Sequence, residues 1–336
     1  MAQGMSRVQL DAARHRPSVI CGRFTGDPGS HPSLHEIVFR FMRSVILCCA
    51  ATALVVASAS GAVAQPAQRV TILYDAFGPP SDLQKDWGFA ALIEYGGRRV
   101  LFDTGNDAGV FERNVKRLGV DLTRLDAVVI SHRHGDHTSG LSHLLQINKD
   151  VVIWAPREGA YFKSEPPRDF LARQPDLPPN LRYFDGSEPT SWVTGTPWSD
   201  AKFAHVTATT EILPGLFALT TRSGKAGTLE MNEVSLAIRT PQGLVVIVGC
   251  AHPGVENILA QAAKIDPRLH LVVGGFHLVL TPREEVERVA DVLDRELKVE
   301  RIAPGHCTSE LGFAVLRGRF KERFVEAGLG ATIVLP

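Results

Sequence analysis

The chain has 336 residues, 44% of them hydrophobic, and its 36 lysines and arginines balance its 36 aspartates and glutamates. That much apolar material is ample for one large α/β domain or two small ones. The even charge argues against a nucleic-acid partner, and five cysteines are too few for a disulfide scaffold.

Residues 42–64, MRSVILCCAATALVVASASGAVA, carry the pattern of a secretory signal peptide. Arg43 makes a short positive start, an apolar run follows, and Ala62-Val63-Ala64 forms a small-residue cleavage site before Gln65. Residues 1–41 scatter Arg, Pro and His without a sustained period, and read as a disordered upstream extension, with Met42 a candidate true start. The expectation is a periplasmic or secreted protein, residues 65–336, with no stable membrane insertion after cleavage. The rival is an uncleaved N-terminal anchor, disfavoured by the small residues that end the run. Lipidation at Cys48 or Cys49 is weaker, because bulky Leu47 precedes Cys48. Cleavage leaves Cys250 and Cys307, and an oxidising compartment would permit a disulfide between them.

In the mature part, Arg69–Tyr74 and Phe89–Tyr95 read as strands, and Gly96-Gly97 turns the second into Arg99–Phe102, which Asp103-Thr104-Gly105 closes. Residues 107–118 have helical spacing. The apolar run Leu125–Ile130 then feeds directly into SHRHGDHTSG, residues 131–140. His132, His134, Asp136 and His137 fall within six residues of one another, and a strand ending in a tight turn aims such side chains at metal. Imidazole and carboxylate are ligands that borderline divalent ions accept. A helix around Leu141–Gln146 and a strand Val151–Trp154 follow. Residues 156–200, rich in proline and carrying Trp192 and Trp198, read as an irregular insert, either a functional loop or lid or disordered.

Strand signals resume at Leu216–Thr220, Val234–Ile238 and, after the turn Pro241-Gln242-Gly243, Leu244–Val248. A helix around Val255–Lys264, the strand Leu269–Val273, and a helix Pro282–Leu297 with Thr281 as N-cap come next. The short strand Ile302-Ala303, a helix around 310–326 and Thr332–Leu335 end the chain. Four of these strands stop at a polar residue: Asp103, His252, His277 and His306. Strand ends beside glycine are where α/β folds place catalytic groups. His143, His205 and His270 lack that context and read as surface or core residues.

Taken together these motifs resemble the metallo-β-lactamase superfamily, over about Val70 to Leu335. FDTG, HRHGDH, GCAHPG and GHCTS occur in the family's order. Trp87-Gly88-Phe89, Leu101–Gly105, Asn232–Leu236, Gly249–Gly254, Gly274–Leu278 and His306-Cys307-Thr308 are similar to its dihydropterin-aminobenzene-phosphate-synthase-like branch. The resemblance implies an α/β fold, an αββα four-layer sandwich. It also implies one or two metal ions, zinc first and Mn2+ or Fe2+ as alternatives. His132, His134 and His252 would hold the first ion, and Asp136, His137 and His306 the second. Asp103 would lie beneath the histidines as a hydrogen-bond partner. One departure stands out. Most of the superfamily puts a bridging aspartate at the end of the strand after that of His252, and here that place reads as His277, which would bind one metal or line the pocket.

The function implied is a metallo-hydrolase that uses hydroxide generated at the metals on a small-molecule phosphoester. Asp136 would orient or deprotonate the water, and His277 would assist the leaving group. The alternatives are a lactamase or lactonase, a mononuclear iron redox enzyme of the same fold, and a binding protein without catalysis. The branch's pterin-related synthesis is cytosolic chemistry, which sits badly with a signal peptide. Di-iron members carry a glutamate where this chain has His134.

Overall fold

The computed structural model describes residues 68–156, 174–186, 198, 200–224 and 231–336. The chain divides into two units, Met1–Ala64 and Gln65–Pro336. The first unit, with the expected leader, lies outside the described residues, as do Trp192 and most of the insert.

Among the described residues the second unit holds thirteen strands: β1 (Arg69–Tyr74), β2 (Ala90–Tyr95), β3 (Arg98–Phe102), β4 (Ala127–Val129), β5 (Val152–Pro156), β6 (Lys202–Val206), β7 (Thr210–Leu213), β8 (Leu216–Arg222), β9 (Asn232–Thr240), β10 (Gly243–Val248), β11 (Leu269–Gly275), β12 (Arg301–Gly305) and β13 (Thr332–Val334). They form two sheets, ordered β13-β1-β2-β3-β4-β5-β6 and β12-β11-β10-β9-β8-β7. Alternation along single strands builds the layers. Val245 and Ile247 of β10 face Val70, Ile93 and Val129 of the other sheet in the central core. Leu244, Val246 and Val248 of the same strand face outward, onto Ile258, Val286 and Leu316. These three belong to helices Val255–Ala262, Arg283–Asp291 and Glu310–Phe320. On the far side of the first sheet, Val128 and Leu101 pack with Phe111 and Leu144, from helices Ala108–Arg117 and Leu141–Ile147. The result is the expected helix–sheet–sheet–helix sandwich.

Two short strands, β6 and β7, carry no sequence signal strong enough to predict them. The helix expected to start from a Thr281 cap begins one residue later, at Arg283, with Pro282 in the cap position and no side-chain cap. It also ends earlier, passing at Val292–Glu296 into a π turn. No helix among the described residues is long and apolar enough to cross a membrane.

Strand direction positions the site. β3 and β4 run parallel, as do β10, β11 and β12. Their C-terminal ends lead into Asp103, His132, Cys250, Phe276-His277 and His306 respectively. A hydrogen bond from Val234 N to Ser131 O, 2.7 Å, ties the loop after β4 to the other sheet.

Candidate metal centre

Beyond β4 the chain bends at Arg133, is extended at His134, then starts the short helix Gly135–Thr138, from whose turn Asp136 and His137 leave. His132 Nε2 lies 3.1 Å from His134 Nδ1 and 3.3 Å from His252 Nε2. Beside this group, His137 Nε2 lies 3.2 Å from His306 Nε2, and Asp136 Oδ2 is 3.3 Å from His306 Nε2 and 3.6 Å from His137 Nε2. The structure therefore brings six of the expected ligands into two adjoining sets, divided as the family resemblance implies.

Asp103 lies under both sets. Its Oδ2 accepts from His137 Nδ1 at 2.6 Å and from Ser131 Oγ at 2.7 Å, and Ser131 Oγ in turn accepts from His132 Nδ1 at 2.8 Å. Oδ1 accepts from Ser131 N at 2.7 Å. With Nδ1 of each ring directed at this hydroxyl or carboxylate, the Nε2 atoms of His132 and His137 turn toward the centre.

Burial, reinforced by the neighbouring histidines, pushes His132 and His252 well below the usual imidazole range and His134 down to about 4. This set is thus neutral, the form that ligates. Burial opposes charge on the second set too, but there the partners win. His137, against Asp136 and Asp103, is raised to about 9. Asp136, against His137 and His306, stays well below the usual carboxylate range. A divalent ion fits these donors. Ring nitrogens of the neutral histidines converge at 3.1 to 3.3 Å. Asp136 Oδ1 is buried without a hydrogen-bond partner among the described residues.

His277, expected as a ligand or proton donor, stands at the rim. It belongs to neither set of three, and groups instead with Cys250 and Cys307, all three donor atoms within 4.8 Å of one another. Its ring centroid is 4.1 Å from that of His252, and its Nδ1 is buried without a partner. It also lines a cavity of about 380 Å³ with Arg222, Glu256, Asn257 and Glu285. Cys250 and Cys307 are buried free thiols, not a disulfide. His143 approaches Glu112, and His270 binds Glu300 at 2.7 Å. Trp198 donates to Ser142 Oγ at 2.9 Å and packs on the Phe111 core, so this tryptophan anchors the insert rather than covering the metal ligands.

Five supporting residues escaped the sequence reading as functional groups. Trp87 Nε1 donates to Asp136 Oδ2 at 2.8 Å, and its ring lies 4.7 Å from that of His306. Gly88, at φ +138, lets this segment reach Asp136, since a Cβ there would lie 2.4 Å from Asp136 O. Glu233 is buried and accepts three backbone N–H bonds, from Cys250 (3.0 Å), Ala251 (2.7 Å) and His252 (2.8 Å). Burial raises its carboxyl to about 7 against the pull of those donors. Asp75 Oδ2 accepts from His306 N at 3.1 Å, and Ser131 makes the link to Asp103 already described. The Trp87-Gly88-Phe89 and Asn232–Leu236 stretches marked two of these places without assigning a role, and Asp75 had no signal beyond ending β1.

A two-sheet sandwich with metal ligands gathered at parallel strand ends defines a metal-dependent hydrolase fold. The chain belongs to the metallo-beta-lactamase superfamily, whose model matches residues 88–306. It is 28% identical over 280 residues to 7,8-dihydropterin-6-methyl-4-(beta-D-ribofuranosyl)-aminobenzene-5'-phosphate synthase of Methanocaldococcus jannaschii, covering 77% of this chain and 93% of that one. Among solved structures, a metal-dependent hydrolase of the beta-lactamase superfamily matches with TM-score 0.62 and 28% identity, over 80% of this chain and 98% of that one. A shorter stretch of 72 residues is 29% identical to a ribonuclease Z of Nanoarchaeum equitans, 20% of this chain and 22% of that one. Balanced charge therefore does not by itself set nucleic acid aside for this fold. The protein is an enzyme of a hydrolase superfamily with a candidate metal centre.

Proposed function

We propose that the protein is a two-metal phosphoesterase acting on a small molecule, with zinc as the first candidate ion. The observation that carries this reading is the pair of adjoining donor sets, whose His132 and His137 rings are both tied through Nδ1 to one carboxylate, Asp103, His132 by way of Ser131. Paired divalent ions supply an acidified water and a clamp for the oxygens of an in-line displacement at phosphorus. The similarity to a synthase whose product carries a 5'-phosphate supports a phosphate-bearing substrate over a lactam or lactone.

The chain's own residues supply the rest. His132, His134 and His252 hold one position as neutral donors. Asp136, fixed by the Trp87 N–H, holds its charge at the other. His277, at the cavity rim with an unpartnered Nδ1, would hand a proton to a departing oxygen. The leader pattern at 42–64 supports export before the enzyme works, and N-terminal sequencing of the mature protein, starting at Gln65, checks it.

The deciding experiment uses chelated protein with zinc or manganese added back, on a panel of phosphodiesters, phosphomonoesters, lactones and β-lactams. Metal-restored turnover of a phosphoester, absent in Asp136→Ala, is expected. Turnover confined to lactones or β-lactams refutes the phosphoester, and no ester hydrolysis with bound iron moves the assignment to redox chemistry.

A further inference from the structure

We infer that Cys250 is the donor shared by the two metal positions, its sulfur taking the bridging place that a carboxylate takes elsewhere in the fold. The inference rests on the two-metal reading above and adds a residue to it.

Cys250 Sγ is the one atom common to every compact group of donors among the described residues. It closes a group with Asp136, His137 and His306, a second with His132 and His252, and a third with His277 and Cys307, each within 4.8 Å throughout. It lies 3.2 Å from His137 Nε2. Apart from Asp136, already assigned to the second position, the neighbouring carboxylates are engaged elsewhere. Asp103 is spent on Ser131 and His137, Asp75 on the backbone of Ala76 and His306, and Glu233 on three backbone amides. Imidazole cannot take it, because its two nitrogens leave opposite sides of the ring. A thiolate carries several lone pairs on one large atom and is a soft ligand suited to zinc.

The aim of the sulfur is built into the backbone. Gly249 lies so near the first sheet that a Cβ there would sit 2.2 Å from Ser131 Oγ and 3.1 Å from Asp103 Oδ2. This contact seats the next residue, Cys250, directly over the Asp103 link. Glu233 then clamps the amides of residues 250 to 252, and Ala251 takes a left-handed φ of 59° that turns His252 back toward His132. Loading forms metal–sulfur bonds and breaks the S–H bond, whose proton goes to solvent, with no change of oxidation state.

The test is cobalt loading of the chelated full chain, followed by absorption spectroscopy and metal titration. A sulfur-to-cobalt charge-transfer band is expected in the wild type and in Cys307→Ser, and lost in Cys250→Ser, which should bind both ions more weakly. Cobalt bound without the band, a band lost only in Cys307→Ser, or weakening confined to one ion overturns the inference and leaves the two-metal reading intact. Failure to bind cobalt at all overturns both. If Cys250→Ser does not fold, zinc-edge absorption of the wild type and Cys307→Ser decides. A sulfur at about 2.3 Å in both supports Cys250, and nitrogen and oxygen alone refute it.

Discussion

The two donor sets share a floor but solve opposite electrostatic problems. The set of His132, His134 and His252 contains no carboxylate, and burial plus mutual repulsion keeps its rings neutral. The set of Asp136, His137 and His306 carries an ionised carboxylate, and His137 holds a proton up to about pH 9. The first set is ready to ligate as it stands. The second must give up a proton to do so, and is held together by its own ion pair until it does. Adjacent sites built from the same residue types thus differ because one includes Asp136 and the other does not.

The sharpest way to break this comparison is to remove one ligand from each set. His134→Ala should empty the first position, and Asp136→Ala the second, with losses in affinity beyond the roughly 100-fold expected for a merely supporting residue. Metal stoichiometry by elemental analysis reads this directly, and equal loss of both ions in both variants would erase the distinction. Asp103→Asn comes next. It touches both sets, so both ions should weaken, by about 10–100-fold, in parallel metal titrations. Trp87→Phe keeps the ring and removes only the N–H donated to Asp136, so the second position alone should lose about 10-fold, the worth of a hydrogen bond to a charged group.

The smallest effect concerns the metal-free protein. The His137 pKa is raised in the folded chain from 6.5 to about 9. Its proton therefore adds stability that is complete below the unfolded pKa and lost as pH climbs through the folded one. Thermal melts of chelated wild type across that window should fall more steeply than those of His137→Asn. Matching slopes would place the proton elsewhere.

Much of this centre was legible in the sequence because its ligands obey local rules. HRHGDH follows an apolar run, and His252 and His306 each close a buried strand, so periodicity and residue chemistry together pointed at them. The fold was legible for the same reason, since β1, β3, β10 and β11 alternate or run apolar between clear turns. What stayed hidden depends on contacts between distant segments. Nothing in the stretch around Glu233 says that its carboxylate will meet the amides of residues 250 to 252 across two neighbouring strands. Trp87 is 49 positions from Asp136, and its N–H finds that carboxylate only after β2 pairs beside β1. Cys250 read as half of an optional disulfide because sequence offers no measure of its distance to His137. The strands β6 and β7 were missed because their residues are mixed in polarity and half-exposed, which leaves no periodic stripe to read.

The chain Asp103–Ser131–His132, with its branch to His137, has a thermodynamic consequence. One carboxylate senses the charge on both ring systems, so drawing electron density toward an ion at either position changes the basicity of the ligands at the other. Two positions linked this way have no independent dissociation constants, and each ion's affinity depends reciprocally on whether its neighbour is present. Metal uptake by the wild type should then follow a curve that two separate sites cannot fit, and Ser131→Ala, which cuts the link to His132, should weaken that coupling without abolishing it.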